Sequence, residues 1–214
     1  MNRDRTLERV GELGLLAVVR GESRPAALEV VSALVEGGVL GIEITFTTPE
    51  AELVMGDLRD EYGDRILLGA GTIEEPGQVE QAVAGGATFL VSPGCDPELV
   101  SLMLGTDLAV MPGILTPTEL MLARRLGVDV FKLFPGSLGG PSYLKALRSP
   151  FPDAVLIPTG GVSEENVHDW FAAGAFAVGA GGALAPAAIK DERHREEVVA
   201  RARSFAQAAR DAAR

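Results

Sequence analysis

Cysteine, histidine and lysine are all scarce in this chain, which holds one, two and three of them in 214 residues. With Cys95 alone, no intrachain disulfide can form and no thiolate cage can hold a metal, a usage that fits a reducing cytosolic setting. His168 and His194 lie far apart, so a zinc site is not expected. Positive charge is short as well: 19 Lys and Arg face 30 Asp and Glu, and the net charge of -11 repels nucleic-acid backbones and anionic membrane surfaces. Long apolar runs are missing, none approaching the roughly 20 residues that a membrane span needs. The start, MNRDRTLERV, is charged and has no signal-peptide apolar run behind it. The expectation is a cytoplasmic protein that binds neither nucleic acid nor membrane.

What the chain does contain is 47% hydrophobic against 23% charged residues, enough for one well-filled domain spanning residues 1–214. Short β-rich runs recur along it, each followed by a helix-like stretch. They are LLAVVR (15–20), GIEITF (41–46), ILLGAGT (66–72), TFLVSPG (88–94), DLAVMPG (107–113), DVFKLFPG (129–136), AVLIPTGG (154–161) and FAVGAGGAL (176–184). Helix starts are marked by Pro25, Thr48-Pro49-Glu50, Asp96-Pro97-Glu98 and Thr116-Pro117-Thr118-Glu119, where a capping side chain, a proline or an early carboxylate suits a first turn. Glycines in GGVLGIEI, AGGATFLV and AAGAFAVG stand where a helix must end before the chain re-enters the sheet. Eight βα units with short right-handed crossovers close most naturally into a compact α/β fold, the (β/α)8 TIM barrel. An extra N-terminal helix near 4–13 is expected to cover the barrel bottom, and a last amphipathic helix to fill 191–214.

In such a barrel function belongs at the carboxyl ends of the strands. The pleat of DVFKLFPG puts Val130, Lys132 and Phe134 on one face, so a lysine is hidden in the most apolar strand of a chain with three lysines and sixteen arginines. An amine differs from a guanidinium in that it can lose its proton and attack a carbonyl. An ordinary lysine is neutral about once in a thousand or less at pH 7, so a dry site that disfavours the ammonium would be part of that chemistry. The plain alternative is a lysine whose stem lies on the core while its head pairs or reaches water. In GIEITF, Ile42, Ile44 and Phe46 share the face toward the helices, which turns Glu43 and Thr45 into the barrel. A carboxylate there wants a cation, a proton or a substrate, and Lys132 is the available partner, in a catalytic pair or in a purely structural one.

The glycine-bearing strand ends Gly69-Ala70-Gly71-Thr72, Pro158-Thr159-Gly160-Gly161 and Gly179-Ala180-Gly181-Gly182 offer bare backbone N–H groups to an oxyanion, the last two at the usual phosphate position of barrels. Tight turns are the other reading of such pairs. Arg20 ends the first strand within reach of a carboxylate or phosphate, or as a plain rim charge. Cys95 reads as a small rim residue, His168 as surface and Trp170 as packing.

In VEGGVLGIEITFTTPEAE, LLGAGTI, FLVSPG, MPGILTPTEL, VFKLFPG and PFPDAVLIPTGGVSEENVHDWFAAGAFAVG, taken in order, the chain resembles the class I 2-keto-3-deoxy-6-phosphogluconate (KDPG) aldolases, which include bifunctional 4-hydroxy-2-oxoglutarate (KHG) aldolases. The resemblance implies a homotrimeric barrel, a small 2-keto-3-deoxy acid as substrate and no metal or other cofactor. It implies that Lys132 forms a Schiff base with the substrate's C2 ketone and that Glu43 moves protons, partly through water. By the same similarity Thr72 would hold the pyruvoyl carboxylate, Thr159 would line the pocket, and Pro93 and Phe134 would pack around the imine. Gly160, Gly161, Gly181 and Gly182 would bind phosphate. Two positions depart from the pattern. Thr47 replaces an arginine of one branch, which leaves carboxylate recognition to Arg20 and Thr72, and Gly182 replaces a common serine, which removes a hydroxyl from the phosphate site. The implied reaction is cleavage of 2-dehydro-3-deoxy-6-phosphogluconate to pyruvate and glyceraldehyde 3-phosphate, with 4-hydroxy-2-oxoglutarate cleavage to pyruvate and glyoxylate beside it. The alternatives are the corresponding phosphogalactonate aldolase and a non-catalytic barrel that binds a phosphorylated ligand.

Overall fold

A computed structural model describes residues 2–213; Met1 and Arg214, the two ends of the expected 1–214 span, lie outside the described residues. Every expected strand forms, shorter than its run: β1 (Leu15–Val19), β2 (Gly41–Thr45), β3 (Leu67–Gly71), β4 (Phe89–Ser92), β5 (Ala109–Ile114), β6 (Val130–Leu133), β7 (Val155–Pro158) and β8 (Val178–Ala180). The helices are α1 (Arg3–Leu13), α2 (Arg24–Glu36), α3 (Ala51–Tyr62), α4 (Pro76–Gly85), α5 (Pro97–Leu104), α6 (Pro117–Arg125), α7 (Gly140–Arg148), α8 (Val167–Ala172) and α9 (Glu192–Ala212). All pairings are parallel, in the order β7-β6-β5-β4-β3-β2-β1-β8, and a bridge between Thr159 and Gly179 brings the two outer strands together. This is the (β/α)8 TIM barrel. The glycine-rich tails of the runs leave the sheet and become the loops of its mouth.

Side-chain alternation divides the apolar residues into two layers. Ile42, Ile44, Phe131 and Leu133 face outward and pack with helix residues such as Val31, Leu58, Leu120 and Leu144. Leu16, Leu67, Phe89, Met111, Val130 and Ile157 fill the barrel itself, where Val10 of α1 joins them as the expected plug. Each such leucine or phenylalanine contributes about 1.5–3 kcal/mol by leaving water.

Most helix starts follow their local signals. Ser23 accepts from the Ala26 N–H at 3.3 Å, and Asp96 accepts from the Leu99 N–H at 2.8 Å. Thr116 and Glu119 form a reciprocal capping box at α6. The Thr48 signal is misread by local rules: α3 begins after Glu50, which has a left-handed φ of 55° and makes no side-chain cap. Thr48 is buried and accepts the Gly21 N–H at 3.1 Å, so its hydroxyl joins two loops of the mouth instead of capping its own helix. No helix among the described residues is long and apolar enough to cross a membrane.

Candidate active site

Lys132 and Glu43 meet inside the upper barrel, from strands with three others between them in the sheet. The outward anchoring of Phe131 and Leu133 on β6, and of Ile42 and Ile44 on β2, leaves the two charged residues no direction but inward. Lys132 Nζ lies 3.6 Å from Glu43 Oε1, and the two side chains are 4% and 3% exposed. A charge-assisted hydrogen bond is shorter, about 2.7–2.9 Å. Glu43 Oε1 has no hydrogen-bond partner among the described residues. A buried ion pair kept for structure gains most from closing that gap and satisfying every oxygen. This pair is left open, with an amine and a carboxylate both free to engage a third group. Gly71 makes room for it, because a Cβ there would overlap the Glu43 carboxylate.

Phe134 stands above the amine, its ring centroid 5.1 Å from Lys132 Nζ. It forms one wall of a cavity of about 280 Å³ that is also lined by Arg20, Thr159, Gly160, Gly161, Gly181 and Gly182. The structure thus brings seven of the expected site residues around one space, with Lys132 beneath Phe134. Arg20 is exposed there, and its guanidinium pairs with no carboxylate among the described residues. Gly160 and Gly161 have φ of 88° and 76°, a conformation that favours glycine. The backbone N–H groups of Gly160, Gly161, Val162, Gly181, Gly182 and Ala183 donate to no acceptor among the described residues. Open donors of this kind suit an oxyanion.

Thr72 and Pro93 do not line that cavity, and neither do Lys132 and Glu43. Thr72 follows Gly71 directly and has a φ of 54°, a left-handed conformation that is costly for a β-branched residue and is held by its surroundings. Gly113, the register partner of Lys132, is packed so closely against the Pro93 carbonyl that a Cβ would collide with it. Thr47 is exposed, and its hydroxyl lies 2.8 Å from Thr45 Oγ1, which itself bonds the Val19 carbonyl at 3.0 Å. With the Thr45 proton given to Val19, Thr47 donates to Thr45, so its own proton is already engaged.

Cys95 is half-buried, and burial, assisted by the Glu119 and Asp96 carboxylates, pushes its thiol up, away from a reactive thiolate. His168 is exposed and Trp170 is buried. Val18, Val162, Ser163 and Ala183 also line the cavity and were not singled out by sequence reasoning. Position beside PTGG and VGAGG could have found the last three; nothing in the run LLAVVR separates Val18 from its neighbours. Asn166 holds the loop after β7 through two side-chain bonds, to the Gly161 carbonyl and the Ser163 N–H.

Residues 7–200 match the family model described as KDPG and KHG aldolase. The chain is 34% identical over 198 residues to 2-dehydro-3-deoxy-6-phosphogalactonate aldolase of Escherichia coli (strain K12), covering 92% of this chain and 97% of that one. It is 38% identical over 162 residues to 2-dehydro-3-deoxy-phosphogluconate aldolase of Pseudomonas aeruginosa, covering 75% and 73%. Among solved structures it superposes with a TM-score of 0.77 and 28% identity on KDPG aldolase from Legionella pneumophila with pyruvate captured at low pH as a covalent carbinolamine intermediate, covering 96% of this chain and 97% of that one.

Proposed function

The chain belongs to the KDPG and KHG aldolase family, and from that premise we propose that it cleaves 2-dehydro-3-deoxy-6-phosphogluconate to pyruvate and glyceraldehyde 3-phosphate through a Schiff base on Lys132. It is a class I aldolase, a carbon–carbon lyase. The observation that carries the assignment of roles is the buried and unclosed Lys132–Glu43 pair, whose amine lies 5.1 Å from the ring of Phe134, one wall of a cavity rich in free N–H donors.

In this mechanism neutral Lys132 Nζ adds to the C2 ketone to give a carbinolamine, which takes up one proton from solvent as it loses water and leaves a protonated imine. Glu43 takes the proton of the C4 hydroxyl, directly or through water, the C3–C4 bond breaks, and its electron pair flows into the imine to give an enamine. The aldehyde departs, C3 is reprotonated, and hydrolysis returns pyruvate and the free amine. The iminium is the electron sink. Thr72 and Arg20 hold the carboxylate, Thr159, Pro93 and Phe134 enclose the imine, and Gly160, Gly161, Gly181 and Gly182 hold the phosphate through backbone N–H groups that need no net positive protein. Cleavage of 4-hydroxy-2-oxoglutarate to pyruvate and glyoxylate follows the same steps on a shorter substrate.

A second reading, the C4 epimer 2-dehydro-3-deoxy-6-phosphogalactonate as substrate, is favoured by the name of the E. coli relative that spans 92% of the chain. The proposal also takes residues 1–214 as one catalytic domain, active in the cytoplasm as a homotrimer. Exposed apolar side chains on four successive helices, Leu53, Val83, Leu102 and Met121, support the association, since an assembly would cover them.

Pyruvate plus borohydride is expected to leave a stable adduct on Lys132, read by mass spectrometry of the digested protein. An adduct on Lys145 or Lys190, or none, would reject the nucleophile. Pyruvate release from the two C4 epimers and from 4-hydroxy-2-oxoglutarate ranks the substrates.

A further inference from the structure

We infer that Asn166 is a positioning residue for the loop after β7, turning the Gly161–Val162 peptide so that the Val162 N–H faces the cavity. The inference rests on the phosphate reading above and adds to it a side chain that touches no substrate.

Asn166 Nδ2 donates to the Gly161 carbonyl at 2.8 Å, while its Oδ1 accepts from the Ser163 N–H at 2.9 Å. Only this orientation of the amide satisfies both bonds. In a planar trans peptide the C=O and N–H point in opposite directions. With the Gly161 carbonyl held on the Asn166 side, the Val162 N–H is directed away from Asn166. Val162 lines the cavity, and its N–H has no acceptor among the described residues.

The preceding part of the loop uses the same device with a different anchor. There the Thr159 carbonyl accepts from the Gly136 N–H at 2.8 Å, which leaves the Gly160 N–H on the opposite side. That peptide is fixed by main-chain pairing, whereas the hydrogen bonding of Gly161–Val162 comes from one side chain. Gly161 has no Cβ to resist rotation, so without Asn166 the peptide can turn over and present a carbonyl oxygen to an anion. The loop has a further tether in the hydrogen bond between Glu164 and Ser204 of α9, so the loss of Asn166 removes an orientation and not the loop's attachment.

Steady-state kinetics of Asn166→Ala should show a KM for the 6-phosphorylated substrate raised about tenfold, the loss of one hydrogen bond to a charged group. Its kcat, and the KM for the unphosphorylated 2-keto-3-deoxy acid, should change little. Asn166→Asp keeps the acceptor for Ser163 but faces the Gly161 carbonyl with oxygen, and should show the same split. An equal loss on both substrates, or unchanged discrimination between them, overturns the inference. A wild-type enzyme that does not distinguish the two substrates overturns the phosphate reading along with it.

Should the variants fail to fold, the wild-type protein still gives an answer. Carbonyl-¹³C glycine combined with ¹⁵N valine reports only Gly–Val peptides, which occur at 38–39, 127–128 and 161–162. Inorganic phosphate is expected to shift the Val162 amide signal and leave those of Val39 and Val128 in place. A Val162 signal unmoved at saturating phosphate overturns the inference.

Discussion

The two ends of the barrel interior are built from the same strands and differ in what the pleat delivers. At the bottom, Leu16, Leu67, Phe89 and Val130 meet α1 in a dry hydrocarbon layer. One inward position higher on β6 stands Lys132, and at the same level β2 contributes Glu43, with Gly71 of β3 clearing space for it. The lower layer lowers the free energy of the fold, while the upper layer costs the desolvation of two ionisable groups that do not close on each other. The barrel is a rigid wall in both places; only at the top is the wall used to hold groups where they are electrostatically uncomfortable.

Substitutions at the two levels should therefore fail differently. The largest effect is expected from Lys132→Met, which should cut pyruvate release by at least about 10⁴-fold. Circular dichroism should show the fold retained, and a variant that keeps wild-type turnover would end the contrast. Glu43→Gln should slow turnover by about 10²–10⁴-fold, the usual range for a proton-transfer group, while borohydride still traps pyruvate on Lys132.

Phe89→Ala in the lower layer reverses the pattern. It should cost about 3–5 kcal/mol in denaturant unfolding, with the folded fraction keeping its kcat. Loss of kcat without loss of stability there would mean that the two layers are not separable.

The smallest effect sharpens the comparison at the rim. Burial alone would raise the Glu119 carboxyl, but the Leu115 and Thr116 N–H groups and the Thr116 hydroxyl hold it below the usual carboxylate range. A depressed folded-state value means stabilisation that is present above the unfolded value and lost as pH falls through the folded one. Glu119→Gln should therefore cost about 1 kcal/mol or less at neutral pH, and the difference from wild type should vanish in acid, as measured by urea unfolding against pH.

The strands and their facing were legible because alternation is local: DVFKLFPG and GIEITF each give the inward charged residue without reference to the rest of the chain. The capping box at Thr116–Glu119 was legible for the same reason, its partners being three residues apart. Thr48 was not, since its hydroxyl is claimed by the Gly21 N–H from another loop. Thr47 poses the same difficulty. Its replacement of an arginine is visible in sequence, but only the fold shows its proton spent on Thr45. Asn166 carries no signal at all in PTGGVSEEN, because what matters is the carbonyl to which its side chain returns.

By itself the amino-acid sequence determined the βα rhythm, the inward facing of Lys132 and Glu43, and the glycines at the strand ends, all properties of residues close together along the chain. Tertiary structure alone decided that the lysine and glutamate approach to 3.6 Å without closing, that Phe134 roofs the amine, and that seven expected residues share one cavity that Lys132, Glu43, Thr72 and Pro93 do not line. The reason is physical: periodicity fixes a side chain's direction, but the distance between groups on different strands is set by how the whole barrel closes.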